Sequence, residues 1–278
     1  MTILITTPNG KVGSEIVRLL GKAGHTVRVG AHTVEKARQT FPDSEVVFFD
    51  YDDDESIRAA LNGVTTLYLA APGDMPSAPV NHVVDLAKAA GVERIVKLSA
   101  SGVEQGDSAL RQNELHIEQS GLKYTLLRPT FFMQNYSTAN RDTIAQQGAF
   151  YEAADDGKTS FIDTRDIAAV AVAALTQEGH EGKAYTLTGA EALDRNQVAA
   201  AISEATGKPV HYVALSDEQF REAISGVMSP AYVEMMSGLY SFVRQGWTSQ
   251  TTDAVQQVLG REPISFEQFA RDHADVWR

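Results

Sequence analysis

The chain of 278 residues contains no cysteine. That excludes disulfides, thiolate metal sites and a cysteine nucleophile, and it suits a reducing compartment, so a cytoplasmic location is expected. Positive charge is scarce: 24 Lys and Arg stand against 36 Asp and Glu, a net charge of −12. Direct binding to nucleic acid needs a basic face, and no Lys/Arg run supplies one. No stretch of eighteen apolar residues is present, which excludes an apolar helical span. A charged-then-apolar leader is not expected, since a strand-like run begins at residue 2. The seven histidines are scattered without the helical spacing of a metal pair, and no metal is expected. No internal repeat, low-complexity tract or linker interrupts the chain. What remains is 43% apolar and long enough for one large α/β domain, or a core with a smaller cap.

The first thirty residues set the theme. Thr2–Thr6 (TILIT) is an apolar, β-branched run, followed by Thr7-Pro8-Asn9-Gly10-Lys11-Val12-Gly13 and a helical pattern that buries Val12, Ile16, Leu19 and Leu20. A strand, a tight glycine-bearing turn and a helix is how a dinucleotide-binding fold begins. The helix N-terminus offers N–H groups and the positive end of a dipole to a diphosphate. Gly10 permits close approach of backbone to phosphate, and Gly13 permits close packing of helix on strand. Position 7 is Thr where the usual fingerprint has glycine, and an ordinary β-turn-α start with an N-cap looks the same in isolation.

Five further strands follow at regular spacing: Thr26–Ala31, Glu45–Phe49, Thr66–Ala70, Arg94–Leu98 and Lys123–Leu127. Helices are expected between them at 34–40 (capped by Thr33), 54–61, 79–90 and 109–120. Near-continuous apolar strands alternating with amphipathic helices imply a doubly wound parallel sheet covered on both faces. Ligands of such sheets lie beyond the carboxyl ends of the strands. That rule gathers Thr7, Asn9, Gly10, Lys11, Val12 and Gly13 with Ala31-His32, Asp50-Tyr51, Ala70-Ala71-Pro72, Ser99-Ala100-Ser101 and 129–132 around one crevice.

Past Pro129 the alternation breaks. The pattern predicts one helix over 130–147, a short strand at 159–162, and a helix over 164–175 with Thr164 as N-cap and Asp166 in its first turn. Strand-like runs at 185–188 and 210–214 and helices at 194–206, 216–225, 230–245, 252–259 and 265–277 complete a mostly helical remainder. Ser265 and Gln268 have the spacing of a capping box.

Three segments carry a family resemblance. Leu126–Tyr136 (LLRPTFFMQNY) resembles the "LRP-x-FFMQN" segment of NmrA-like proteins, a branch of the atypical short-chain dehydrogenases/reductases. Ser160–Ala168 (SFIDTRDIA) resembles that branch's "S-x-ID-x-RDIA", and Gly179–Gly189 (GHEGKAYTLTG) its "H-x-GK-x-Y-x-LTG". The chain is also similar to quinone reductases and triphenylmethane-dye reductases of that branch. The resemblance implies a Rossmann domain over 1–130, with 159–189 folding back onto it. A smaller, mostly helical substrate part would cover 131–158 and 190–278. It also implies NADP or NAD binding, with either of two roles. One is hydride transfer to a quinone or another small aromatic or conjugated acceptor; the other is a non-catalytic NAD(P)-sensing role exercised through a protein partner. A specialised biosynthetic reductase or redox-neutral isomerase is a third reading. A monomer or a homodimer fits equally.

The end of the second strand carries Ala31-His32, with no acid to take ribose hydroxyls, so NADP(H) is preferred and NAD(H) remains possible. Lys36 would meet a 2′-phosphate, as would His32 when protonated; Lys36 is equally an ordinary exposed helix cation. Asp50 and Tyr51 would meet the adenine. Thr7 adds a Cβ and Pro8 removes an N–H beside the diphosphate, which Asn9 offsets through its amide. Ordinary members of the superfamily use a Tyr-x-x-x-Lys pair, and the corresponding helix, 112–118, has neither residue. NmrA-like reductases also lack that pair. The candidates left are Ser99 and Ser101, which are equally turn residues, and Glu114, the family's recurring helix acid and otherwise a solvated carboxylate. His116 faces elsewhere as solvent-exposed or as a proton carrier, Arg128 serves to hold the cap, and Asp163, Arg165 and Asp166 read as structural. Phe131 would wall the nicotinamide, and Phe132, Tyr136, Met228 and Tyr232 the acceptor; all are equally ordinary core. Met235, Met236, Tyr240, Phe242 and Trp247 continue that apolar series.

Overall fold

The apolar strands pair side by side and in parallel. In a computed structural model, which describes residues 1–73 and 75–278, these are β1 (Thr2–Thr6), β2 (Thr26–Ala31), β3 (Glu45–Phe48), β4 (Thr66–Leu69), β5 (Arg94–Leu98) and β6 (Lys123–Pro129). The helices between them are α1 (Gly13–Lys22), α2 (Val34–Thr40), α3 (Asp54–Leu61), α4 (Ser77–Ala89) and α5 (Ala109–Gln119). Then come α6 (Gln134–Ser137), α7 (Arg141–Gln147), β7 (Ala149–Glu152), α8 (Thr164–Thr176) and β8 (Lys183–Leu187). The chain closes with α9 (Arg195–Thr206), β9 (His211–Ala214), α10 (Asp217–Ser225), α11 (Pro230–Arg244), α12 (Ala254–Leu259) and α13 (Phe266–Asp272).

Two units result: Met1–Pro129 with Thr164–Leu187, and Thr130–Asp163 with Thr188–Arg278. The first is a Rossmann-type α/β unit. Its seven-stranded parallel sheet has the order β3-β2-β1-β4-β5-β6-β8. All four residues of β4 are buried, as a strand covered on both faces requires. α1 and α8 share one face, while α3, α4 and α5 stand in a row on the other. From Ile167 to Leu175 α8 is an unbroken run of Ala, Val, Ile and Leu, five of them Ala, and it packs against α1 and β5. The order reverses between β1 and β4, which makes the space beyond those two strands the topological switch point.

In the second unit β7 and β9 form a two-stranded parallel pair. Its core is aromatic: Tyr136 meets Phe150, Phe161 and Phe266 edge-on at centroid distances of 5.1–5.6 Å. A charge pair is buried there too. Arg195, with no exposed surface, donates from Nε to Glu152 Oε2 at 2.9 Å and from Nη1 to Thr159 Oγ1 at 2.7 Å. Its guanidinium lies 5.0 Å from the centre of the Phe161 ring.

Several expectations need correction. The helix predicted over 130–147 is two short helices, α6 and α7, because Phe132 leaves the helical path to bridge Ile162. The strand predicted at 159–162 is reduced to isolated bridges from Thr159 and Ile162. Thr33 occupies the N-cap of α2, but its side chain accepts no backbone N–H there. The helix predicted from 265 breaks after Asp272 into a 3-10 turn, Ala274–Trp277. Ser265 does accept from Gln268 N–H, while reciprocal capping boxes stand at Asp194 and Ser216 instead.

Trp277 ties the end of the described chain into the second unit, its indole N–H donating to Tyr136 O at 2.9 Å and its ring lying edge-on to Phe269. Trp277→Ala removes a buried ring and orphans a carbonyl, and should cost about 3–5 kcal/mol of stability. The midpoint of urea unfolding measures this.

Candidate active site

The turn after β1 is held by two backbone bonds, Gly10 N–H to Thr7 O and Ser14 N–H to Gly10 O, both 3.0 Å. Thr7 has φ 47°, in the left-handed region. A β-branched residue there is strained, and the missing first glycine of the fingerprint is the reason that Thr bears it. A Cβ on Gly13 would fall 2.4 Å from Thr7 O and 3.1 Å from Pro8 Cα. Gly13 is therefore obligatory, but it packs against the backbone of the turn rather than against the body of β1. A Cβ on Gly10 would approach Thr7 O to 3.1 Å. The result is a cradle of bare backbone at the N-terminus of α1, where helix geometry aims N–H groups outward. Asn9 is exposed at the turn, and Lys11 is half-buried with its pKa lowered by burial.

Across the switch point, Thr6 fastens β1 to β4: its Oγ1 donates to Ala70 O at 2.9 Å and accepts from Ala70 N–H at 2.9 Å. Tyr51 donates to the same Ala70 O at 2.5 Å and lies edge-on to Phe49. Burial drives the Tyr51 phenol well above its ordinary range. Tyr51 is thus a brace between β3 and β4. His32 is exposed, with Nε2 3.5 Å from Asp50 Oδ2. Lys36 lies exposed in the first turn of α2. Ala71 is half-buried and Pro72 exposed.

Beyond β5 and β6 the edge is charged and buried. Glu114 on α5 has no exposed surface. Its Oε1 accepts from Ser99 Oγ at 2.6 Å and from Arg128 Nε at 2.9 Å; its Oε2 accepts from Arg128 Nη2 at 2.8 Å and from Arg111 Nη1 at 2.9 Å. Burial opposes the charge, but hydrogen bonds from Arg128, Ser99 and Arg111 outweigh it and hold the carboxyl below its ordinary range. The expected alternative of a solvated helix carboxylate is overturned. Arg128 is likewise more than a strut for the cap, since it grips Glu114 with two nitrogens and also approaches Glu104 at 3.5 Å. The backbone of Ser99 and Ser101 continues the pairing with β6, donating to Leu127 O and Pro129 O at 2.7 and 3.0 Å. Ser101 is exposed and Ala100 half-buried. His116 is half-exposed and paired with Asp85 of α4 at 2.8 Å.

One member of this edge was missed. Lys97 is buried in β5, two residues before Ser99 and on the same face of the strand, with its amine donating to Leu98 O at 2.5 Å. Burial pushes its pKa down to about 8, although the charge of Glu114 works the other way. The signal was legible as a lysine between Val96 and Leu98, late in a strand whose centre is apolar.

The aromatic candidates belong to the second unit. Phe131 is half-buried between Phe161, edge-on at 6.5 Å, and Tyr240, tilted at 6.3 Å. Phe132 is half-buried on its bridge to Ile162, and Tyr232 is half-buried in the first turn of α11. Met228 is exposed just before that helix. Tyr136, enclosed by rings, is core rather than a pocket wall. Tyr240 is the ring facing Phe131. Trp247 and Phe242 are exposed and stack on each other at 5.1 Å. Among the described residues no group of three His, Asp or Glu is placed to hold a metal ion, and no helix is long and apolar enough to cross a membrane.

The profile of the NmrA-like family matches residues 1–270. The chain belongs to the NmrA-like family. It is 35% identical to an NAD(P)H azoreductase of Xenophilus azovorans over 98% of both chains. It is 34% identical to an agroclavine dehydrogenase of Claviceps fusiformis over 100% of this chain and 99% of that one. Among solved structures, an NADPH-dependent quinone oxidoreductase of Escherichia coli superposes with a TM-score of 0.83 at 27% identity, covering 98% of this chain and 99% of that one. That protein has also been crystallised with NADPH.

The buried lysine makes stability depend on pH in a defined direction. Below pH 8 the folded and unfolded chains both carry the Lys97 proton, and the folded one bears a buried charge. Between about 8 and the ordinary 10.5 only the unfolded chain holds it, so this group makes stability rise with pH, by up to about 1.4 kcal/mol per unit. Urea midpoints from pH 7 to 10 should show that rise in the wild type and lose its Lys97 component in Lys97→Met. Glu114→Gln, which leaves two guanidinium groups without their shared anion, should cost about 3 kcal/mol at pH 7 in the same assay.

Proposed function

We propose that this NmrA-like protein is an NADP(H)-preferring oxidoreductase that transfers hydride to a quinone or a related aromatic or conjugated acceptor. The observation that carries the reading is the state of Glu114. It stands on the helix where ordinary members of the superfamily keep a proton-donating tyrosine and its lysine. A carboxyl held ionised by Arg128, Ser99 and Arg111 has no proton to give. A ketone reduced to an alkoxide needs that donor. A quinone accepts hydride to give a stabilised hydroquinone anion, and water supplies the remaining proton. Chemistry of this kind asks the protein chiefly for positioning and exclusion of solvent.

The residues present fit a dinucleotide. The cradle of Gly10 and Gly13 at the start of α1 accommodates a diphosphate, with Thr7, Asn9, Lys11 and Val12 around it. His32 and Lys36 stand on the side where a 2′-phosphate distinguishes NADPH, and Asp50 and Tyr51 adjoin the adenine. Ala70, Ala71 and Pro72 line the switch point, and Ser99, Ala100, Ser101 and Pro129 close the far edge. When bound, the reduced cofactor supplies the hydride. Ser99, oriented by Glu114, holds the nicotinamide end. Phe131 is assigned to the nicotinamide, and Phe132, Met228 and Tyr232 to the acceptor. The names of the azoreductase and quinone oxidoreductase relatives support this acceptor class.

Fluorescence titration with NADPH and NADH, followed by turnover with a panel of quinones and azo dyes, tests the reading. NADPH should bind more tightly and be oxidised by at least one acceptor. Binding without oxidation by any of them would favour the cofactor-sensing role instead. Gly13→Val, folded by circular dichroism, should lose detectable NADPH binding, because its side chain occupies the space of Thr7 O; unchanged affinity would contradict the cradle.

A further inference from the structure

The hydride chemistry proposed above leaves the buried Lys97 amine without a task. Ile95, Lys97 and Ser99 share one face of β5. Ile95 packs there among Val83 and Val84 of α4 and Ile117 of α5. The Lys97 amine instead reaches forward, to Leu98 O at 2.5 Å on the last residue of the strand. It meets a set of charges that is nearly closed. Glu114 is bonded to Arg111 and Arg128, Arg111 also holds Glu118 at 3.0 Å, and Arg128 approaches Glu104 at 3.5 Å. Three acids thus stand against two guanidinium groups. With the Lys97 proton the edge is neutral; without it one negative charge is left over. Burial pushes this amine down to about 8 while the Glu114 charge pulls it up, so the balance changes just above neutral pH. The other charges nearby are turned away. His116 and Asp85 pair on the outer side of α5 and α4, His82 of α4 pairs with Asp54, and Lys88 is exposed. The Tyr68 phenol of β4 is level with Val96 and faces the opposite side of the sheet, where Arg165 and Asp166 of α8 also belong.

We propose that the Lys97 ammonium sets the oxidation-state preference of the cofactor site, favouring NADPH over NADP⁺ and so the release of the oxidised product. This rests on the dinucleotide reading above, in which Ser99 holds the nicotinamide end. Loss of hydride turns a neutral dihydronicotinamide ring into a pyridinium cation. Beside a neutral edge that includes an ammonium, that cation gains nothing; beside an edge with one uncompensated carboxylate it is attracted. The adenosine half carries the same charges in both forms, so groups at the nicotinamide end are the ones that tell them apart. The coupling is reciprocal: a bound pyridinium makes the Lys97 proton easier to lose.

The test is equilibrium titration of the full chain with NADPH and with NADP⁺, by quenching of protein fluorescence, at a series of pH values. In the wild type the ratio of the NADP⁺ to the NADPH dissociation constant should fall about tenfold between about pH 7 and 9.5, as the proton leaves. Lys97→Met should show the low ratio already at neutral pH, with no dependence on pH. Lys97→Arg, charged throughout, should keep the high ratio across the series. Calorimetry near pH 8, in buffers of different ionisation enthalpy, should find more protons released on binding NADP⁺ than NADPH, a difference that Lys97→Met abolishes. Thermal melting of both variants confirms that they fold. A wild-type ratio in Lys97→Met, or equal changes in both affinities, overturns the proposal and reduces Lys97 to a structural residue of the strand. If the wild type binds neither form, the functional reading and this proposal fall together. If it binds both and the ratio ignores Lys97, only this proposal falls.

Discussion

One carboxylate organises the far edge of the sheet. Glu114 has no solvent to ionise into, yet it is the common acceptor for a hydroxyl from the end of β5 and a guanidinium from the end of β6, with a second guanidinium from its own helix. Removing water makes each charge-assisted bond stronger and makes any unmet one expensive. The strand exits and α5 are therefore held to one arrangement by a requirement of complete pairing. Lys97, buried nearby on the Ser99 face of β5, adds a cation whose proton is weakly held.

The near edge is governed by sterics instead. The backbone bond from Gly10 to Thr7 O and the absence of a side chain at Gly13 draw the turn tightly over α1. Thr7 accepts a left-handed conformation as the consequence. Strain of roughly 1–2 kcal/mol in a β-branched residue persists only where neighbours determine the path of the chain, and here Thr6, bonded on both sides to Ala70, fixes the residue before it. Both edges thus reach rigidity, one through charge and one through close backbone packing.

The sheet and its helices were legible because their signal is periodic: apolar runs of strand length, amphipathic stretches of helix length and glycines past helix ends. The convergence of strand ends followed from topology. What stayed hidden depends on side chains meeting across long separations. Glu114 read as a helix surface because nothing local announces that Arg128, fourteen residues on, will cover it. Asp50 and His32 follow different strands, so their approach is not visible along the chain. The segment after Pro129 defeated the periodic reading for a related reason. Phe132, Met133 and Tyr136 have helical spacing, but a backbone bridge to Ile162 prevails over local propensity.

The sheet of the first unit is not contiguous in sequence. β6 ends at Pro129, and its outer neighbour β8 begins at Lys183, after the chain has built part of the second unit. During synthesis β6 therefore waits as an open edge, with the hydrogen-bonding groups of Thr125–Pro129 exposed until β8 emerges. The intervening residues must leave and return without letting that edge find another strand. Order of emergence, rather than final stability alone, becomes a condition on this architecture.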